Sequence, residues 1–173
     1  MAEQGATRFE HVVLPHLDDA YTLACYLLRD QHDAQDAVQE SVLRALRYFD
    51  GFRGEDARAW LLTIVRNYCY TWKKGRATDR STVPFSDTTD HVADVHAADD
   101  LVIQSTESER VRVAVDALPA ELREVIVLRE LNEMSYREIS EVVGVPIGTV
   151  MSRLSRARNR LAEALDADSR RAG

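Results

Sequence analysis

The residues best equipped for chemistry lie between Ser135 and Leu161, in the run SYREISEVVGVPIGTVMSRLSRARNRL. Thr149, Met151, Ser152, Arg153, Ser155, Arg156, Arg158, Asn159 and Arg160 fall outside its apolar stripe and are expected to face outward. That face offers hydroxyl and guanidinium groups and no carboxylate. Short hydroxyls donate to phosphates or base edges, and arginine takes guanine with two hydrogen bonds, so the chemistry is recognition of duplex DNA in the major groove. The plainer alternative is a solvated polar face on a helical hairpin; the turn chemistry and the missing acids favour DNA.

A second set occupies Phe52 to Arg76, FRGEDARAWLLTIVRNYCYTWKKGR, where Trp60, Tyr68, Tyr70 and Trp72 interleave with Arg66, Asn67, Lys73 and Lys74. An unpaired base exposes its ring face and its hydrogen-bonding edge, so stacking surfaces beside cations and an amide suit single-stranded or melted DNA. Trp60 and Tyr68 are read as core residues ahead of base platforms. A third set, Asp36, Gln39, Glu40 and Arg44, lines one helical face at three- and four-residue spacing. It is either a solvated face or a docking surface for another protein's helix.

These sets make an enzyme the poorest reading. The sequence offers no nucleophile and base pair, phosphate loop or metal-ligand cluster, so no catalytic residue, metal, cofactor or small-molecule substrate is expected. Cys25 and Cys69 stand far apart in apolar helical contexts and are read as buried thiols in a reducing cytosol. No stretch approaches the run of about 18 apolar residues that a membrane span needs, and no basic segment followed by an apolar run opens the chain; a cytoplasmic protein without membrane insertion is expected.

The elements that must position the three sets are helices. Val12, Val13, Leu17, Ala20, Leu23, Ala24, Leu27 and Leu28 recur at helical steps and predict a helix over Phe9 to Leu28, started or kinked by Pro15. Asp33 is the expected N-cap of a second helix, with Ala37, Val38, Val42, Leu43, Leu46 and Phe49 as its stripe, ending near Gly51. A third runs from about Asp56 to Lys74, with Trp60, Leu61, Ile64, Val65 and Tyr68 inward. After an aperiodic stretch the pattern returns with Val111, Val115 and Leu118, then with Leu122, Val125, Ile126 and Leu128 after Pro119. Ser135-Tyr-Arg-Glu138 is a capping box for a short helix ended by Gly144. Ile147, Val150, Leu154, Ala157, Leu161 and Leu165 mark a last, longer helix.

The fold class is therefore all-α: two small helical domains, residues 8–76 and 106–167, joined by a flexible acidic linker, 77–105. Charge supports this division. The net charge of −7 speaks against nucleic acid, but seven acids and no Lys or Arg lie between Ser81 and Glu109, so the remainder sums to zero. Arg58 to Arg76 holds five bases and no acid, and Pro146 to Arg160 four bases and no acid. Two locally basic surfaces on an acidic tether fit a chain that meets DNA twice.

In this order the three segments resemble the extracytoplasmic-function group of the sigma-70 family of RNA polymerase subunits. The acidic segment Asp36, Gln39, Glu40 followed by Leu43-Arg44-Ala45 is similar to region 2.2, which implies docking on the β′ clamp helices of core RNA polymerase. Phe52-Arg-Gly54 and Ala59 to Asn67 resemble regions 2.3 and 2.4, implying that a loop and the following helix open and read the minus-10 element. The resemblance assigns that element to Arg53, Gly54, Glu55, Asp56, Arg66, Asn67, Tyr70, Thr71, Lys73 and Lys74. Asn67 is the foremost base contact, and Arg53 to Ala57 form the pocket for a flipped base. Leu118-Pro119 and the Ser135 to Arg158 segment resemble region 4, implying minus-35 recognition beside the β flap, with Ser152, Ser155 and Arg156 on the major-groove face, Thr149 and Arg153 on phosphate, and Met151 among them. Met151 departs from the family's usual Arg or Lys: a contact is lost there, or replaced by apolar contact with a thymine methyl. An anti-sigma factor as partner and an acidic linker threading toward the RNA exit path are further implications. The rival reading, a dimeric helix-turn-helix regulator, leaves Asp36 to Arg44 and Phe52 to Arg76 without a role.

Overall fold

A computed structural model describes residues 2–54, 56–81 and 106–172, and no strand occurs among them. The chain divides into two compact units, Met1–Ala97 and Ala98–Gly173, each with its own core.

The first unit holds α1 (Ala2–Val13), α2 (Leu17–Leu28), α3 (Gln31–Tyr48) and α4 (Ala57–Ser81). The single helix expected over Phe9 to Leu28 is broken at Pro15, whose ring cannot donate an amide, into a 3-10 turn over Leu14–His16. Arg29 ends α2 in the left-handed region, with φ 58°. The cap of α3 is Asp30, not the expected Asp33: the Asp30 carboxylate accepts the Asp33 backbone N–H at 2.9 Å. At the far end α3 gives way to a 3-10 turn over Phe49–Gly51.

Small residues decide how α3 packs. Its buried positions are Ala34, Ala37, Ser41 and Ala45, which let it lie close against α2 and α4. The Ser41 hydroxyl is satisfied by the Ala37 carbonyl at 2.6 Å. Leu23, Leu27, Leu61, Leu62, Val65 and Cys69 complete this core. Leu43 and Leu46, expected in the buried stripe, stand 45% and 48% exposed. The expected stripe follows mostly large apolar side chains, whereas close helix packing buries the smallest.

Asp56 opens α4, its carboxylate accepting the Ala59 N–H at 2.9 Å. The helix continues through Gly75 to Ser81, beyond the expected end at Lys74, so the first part of the expected linker is helical. The acidic stretch over 82–105 lies outside the described residues, as does Glu55.

The second unit contains α5 (Thr106–Asp116), α6 (Ala120–Ile126), a π turn over Val127–Leu131, α7 (Tyr136–Val143) and α8 (Ile147–Ala172). Leu118, Leu122, Val125, Leu128, Met134, Ile139, Val142, Val150, Leu154 and Ala157 form its core. The capping box opens α7 as expected: Ser135 Oγ accepts the Glu138 N–H, and the Glu138 carboxylate accepts the Ser135 N–H. Gly144 closes α7 with φ +74°, a conformation that side-chain-bearing residues rarely adopt. Val111 and Ile147, both read as stripe residues, are 41% and 44% exposed. Arg110 on α5 ties down the end of α8, donating to Asp168 and to the Leu165 carbonyl.

Candidate nucleic-acid interface

In the second unit α7, the Gly144 turn and α8 make a helix-turn-helix. Val150, Leu154 and Ala157 anchor α8 in the core, which turns Met151, Ser152, Ser155, Arg156, Asn159 and Arg160 outward into solvent. Thr149 is half-buried, and its carbonyl accepts the Ser152 hydroxyl at 3.0 Å. Two arginines of the expected face are engaged within the unit. Arg153 is only 17% exposed and lies 3.7 Å from both Glu121 and the buried Glu124. Arg158 donates to Glu130 at 2.8 Å, and hydrogen bonds to Glu130 and Tyr136 hold its charged form more firmly than usual. Arg156 and Arg160 are exposed on the outer face, and Arg158 is exposed while bonded to Glu130.

In the first unit an aromatic cluster fixes the loop before α4. Phe52 packs on Trp60 with ring centroids 4.6 Å apart and stacks on Phe49 at 6.0 Å, while Phe9 meets Phe49 edge-on at 5.2 Å. Such pairs add about 0.5 to 1.5 kcal/mol each beyond their buried area. Trp60 is accordingly packing material, and Arg53 and Gly54 project from an anchored strap as exposed residues. A side chain at position 54 would meet the Phe52 ring at 3.0 Å. Asp56 is committed to its cap, which places it at the base of the loop.

Along α4, Asn67, Thr71, Lys73 and Lys74 are exposed, and Arg66 and Tyr70 half-buried. The Arg66 guanidinium lies 4.6 Å over the Tyr70 ring, and Arg76 lies 4.7 Å over Trp72 while reaching Asp33 at 3.1 Å. Lys73 donates to the Leu27 carbonyl at 3.0 Å, satisfying the end of α2. Asn67 and Thr71 share a face one turn apart; the Thr71 hydroxyl donates to the Asn67 backbone carbonyl, and Asn67 itself is exposed.

On α3, Asp36, Gln39, Leu43 and Arg44 are exposed, with Glu40 between them and Leu46 beside them. Arg44 reaches Glu40 at 3.4 Å and covers the Tyr68 ring at 4.9 Å. The face is thus acidic at its N-terminal end and apolar toward its C-terminal end.

Comparison with known proteins bears on all three surfaces. A family model described as Sigma-70 region 2 matches residues 12–78, and one described as Sigma-70, region 4 matches residues 108–161. The ECF RNA polymerase sigma-E factor of Haemophilus influenzae is 34% identical over 139 residues, covering 76% of this chain and 74% of that protein. The chain belongs to the sigma-70 family, in its extracytoplasmic-function group. The ECF RNA polymerase sigma factor SigE of Mycolicibacterium smegmatis is 31% identical over 157 residues, covering 91% of this sigma factor, which spans 61% of that longer protein. The sigma factor RpoE of Bartonella quintana, solved with the anti-sigma factor NepR, superposes with a TM-score of 0.75 at 32% identity, over 93% of this chain and 98% of that one.

As a sigma factor the chain is a promoter-recognition subunit of RNA polymerase. Its region 2 comprises α2 to α4 and its region 4 the helix-turn-helix with α5 and α6. Several contributors escaped the sequence reading. Leu46 joins the outer face of α3, Ile147 joins that of α8, and Phe52 with Phe9 and Phe49 braces the strap. The signal for Leu46 was available, because Ala34, Ala37, Ser41 and Ala45 form an alternative stripe of small residues on the opposite side. Cys69 is buried, as expected, and burial pushes its thiol up to about 12. Cys25 is half-buried, and burial raises it too.

No helix among the described residues is long and apolar enough to cross a membrane.

Proposed function

We propose that this sigma factor works without chemistry of its own, in the cytoplasm, by holding core RNA polymerase and two promoter elements at once. The α3 face of Asp36, Gln39, Glu40, Leu43 and Arg44 docks on the β′ clamp helices. The observation that carries this assignment is the pair Leu43 and Leu46, large apolar residues 45% and 48% exposed beside acids. An apolar centre with a charged rim is the make-up of a protein interface.

Arg53 and Gly54, exposed beside the Asp56 cap of α4, receive a flipped minus-10 base. Asn67 offers its amide to a base edge, Arg66 and Tyr70 supply a cation and a ring beside it, and Thr71 and Lys74 line the backbone path. Lys73 adds positive charge there while fixing α2. In region 4, Ser152, Ser155 and Arg156 read the minus-35 element, with Thr149 at its phosphates and the β flap nearby. Arg153 serves this surface from behind, through Glu121 and Glu124. Two modest DNA contacts on one chain raise each other's effective concentration. An anti-sigma factor masks these surfaces; support comes from the Bartonella sigma factor, which was solved with one.

Co-elution of the purified chain with core RNA polymerase tests the docking assignment. Leu43→Asp combined with Leu46→Asp is expected to abolish co-elution while leaving the helical signal intact. Retained co-elution would remove α3 from the interface.

A further inference from the structure

We infer that Ile147 and Met151 form an apolar ridge that reads thymine 5-methyl groups in the major groove of the upstream promoter element. The inference rests on the assignment of α8 as the DNA-reading helix and deepens it by naming what one flank of that helix recognises.

The two residues are four apart, one turn along the same flank of α8, and are 44% and 52% exposed. Neither is needed by the core, where Val150, Leu154 and Ala157 are already buried to 1% or less. Single exposed apolar residues are ordinary. Two in line on a helix otherwise faced with serines and arginines are a local departure, and the row continues outward to Ser155. The surroundings choose the occupant. Residues 146–160 contain no carboxylate, and Arg156 and Arg160 stand exposed elsewhere on the outer surface of the same helix, so a polyanion is the complementary partner. Within the major groove of duplex DNA, the apolar group on a base edge is the thymine methyl. Ser152, Ser155 and Arg156 can satisfy neighbouring hydrogen-bonding edges, while a thioether and a branched aliphatic chain find no better partner there than that methyl.

The test uses the full chain assembled with core RNA polymerase. Duplexes randomised over the upstream element are selected for binding, and each thymine of the enriched sequence is then replaced singly by deoxyuridine, which removes only the methyl group. The expected result is one or two positions where deoxyuridine weakens binding about three- to five-fold, the worth of one buried methyl group. That penalty should vanish with Met151→Ala or Ile147→Ala, both exposed positions that leave the fold intact. An enriched element without thymine, or a deoxyuridine penalty that is absent or unchanged in both variants, overturns the ridge while leaving DNA reading by α8 standing. Failure to enrich any upstream element overturns the assignment of α8 itself, and the ridge with it. Enrichment unaffected by either variant, combined with loss of capture by a protein partner, overturns the ridge in favour of a protein-docking role.

Discussion

Arg153 of the recognition helix reaches back to Glu124 of α6 at 3.7 Å, and the Glu124 side chain is only 1% exposed. A carboxylate so deep needs a cation beside it, so the arginine is held by the fold before DNA arrives. Glu121, at the same distance, shares the guanidinium. This pairing ties α8 to α6.

Arg153→Ala should lower the unfolding free energy of region 4 by about 1 to 3 kcal/mol, below the full cost of breaking a buried pair because the guanidinium keeps some solvent. Urea denaturation monitored by circular dichroism checks this. A variant as stable as the parent but defective in DNA binding would return Arg153 to the DNA face.

Arg156 should behave in the opposite way. It is exposed, so Arg156→Ala should leave stability within about 0.5 kcal/mol of the parent. If it contacts a base, discrimination at one minus-35 position should fall by about 1 to 3 kcal/mol. Competition binding with singly substituted duplexes measures this, and an equal loss on every duplex would make it a phosphate contact.

Asn67→Ala should impair strand opening on duplex promoters while sparing stability, since Asn67 is exposed on α4. Permanganate reactivity of minus-10 thymines is the readout. Reactivity equal to that of the parent would remove Asn67 from base recognition.

Much of this was legible in the sequence, for reasons that are local. The capping box at Ser135 and the turn at Gly144 are set by a few adjacent residues, so α7 was readable with both its ends. The stripe of α3 was not, because burial there depends on how closely α2 and α4 approach. That approach favours Ala34, Ala37, Ser41 and Ala45 over the larger Leu43 and Leu46. Likewise, Arg153 reads as an outward cation until α6 folds Glu124 beneath it. Asn67, by contrast, falls off the stripe of Leu61 and Val65 by helical spacing, while its role at a base came only from the family resemblance.

The thiols supply a pH-dependent prediction. Burial raises Cys69 from 9.0 to about 12, so in the native protein it stays a neutral thiol and should react negligibly with iodoacetamide at pH 8. Cys25, raised as well but half-buried, should label slowly, and both should label readily in urea. Because the folded state holds the Cys69 proton more tightly, its contribution to stability is complete below pH 9 and lost as the pH rises toward 12. Rapid labelling of Cys69 under native conditions would show that α4 opens locally.

In the proposed function one chain couples core polymerase to two promoter elements. Run-off transcription with purified core RNA polymerase, on templates carrying promoters mapped from transcripts that appear on overexpression, tests it most directly. A discrete start downstream of paired minus-35 and minus-10 elements is expected, lost when either element is scrambled. Footprinting of duplex DNA by the chain with no promoter-specific start in the presence of core polymerase would contradict it.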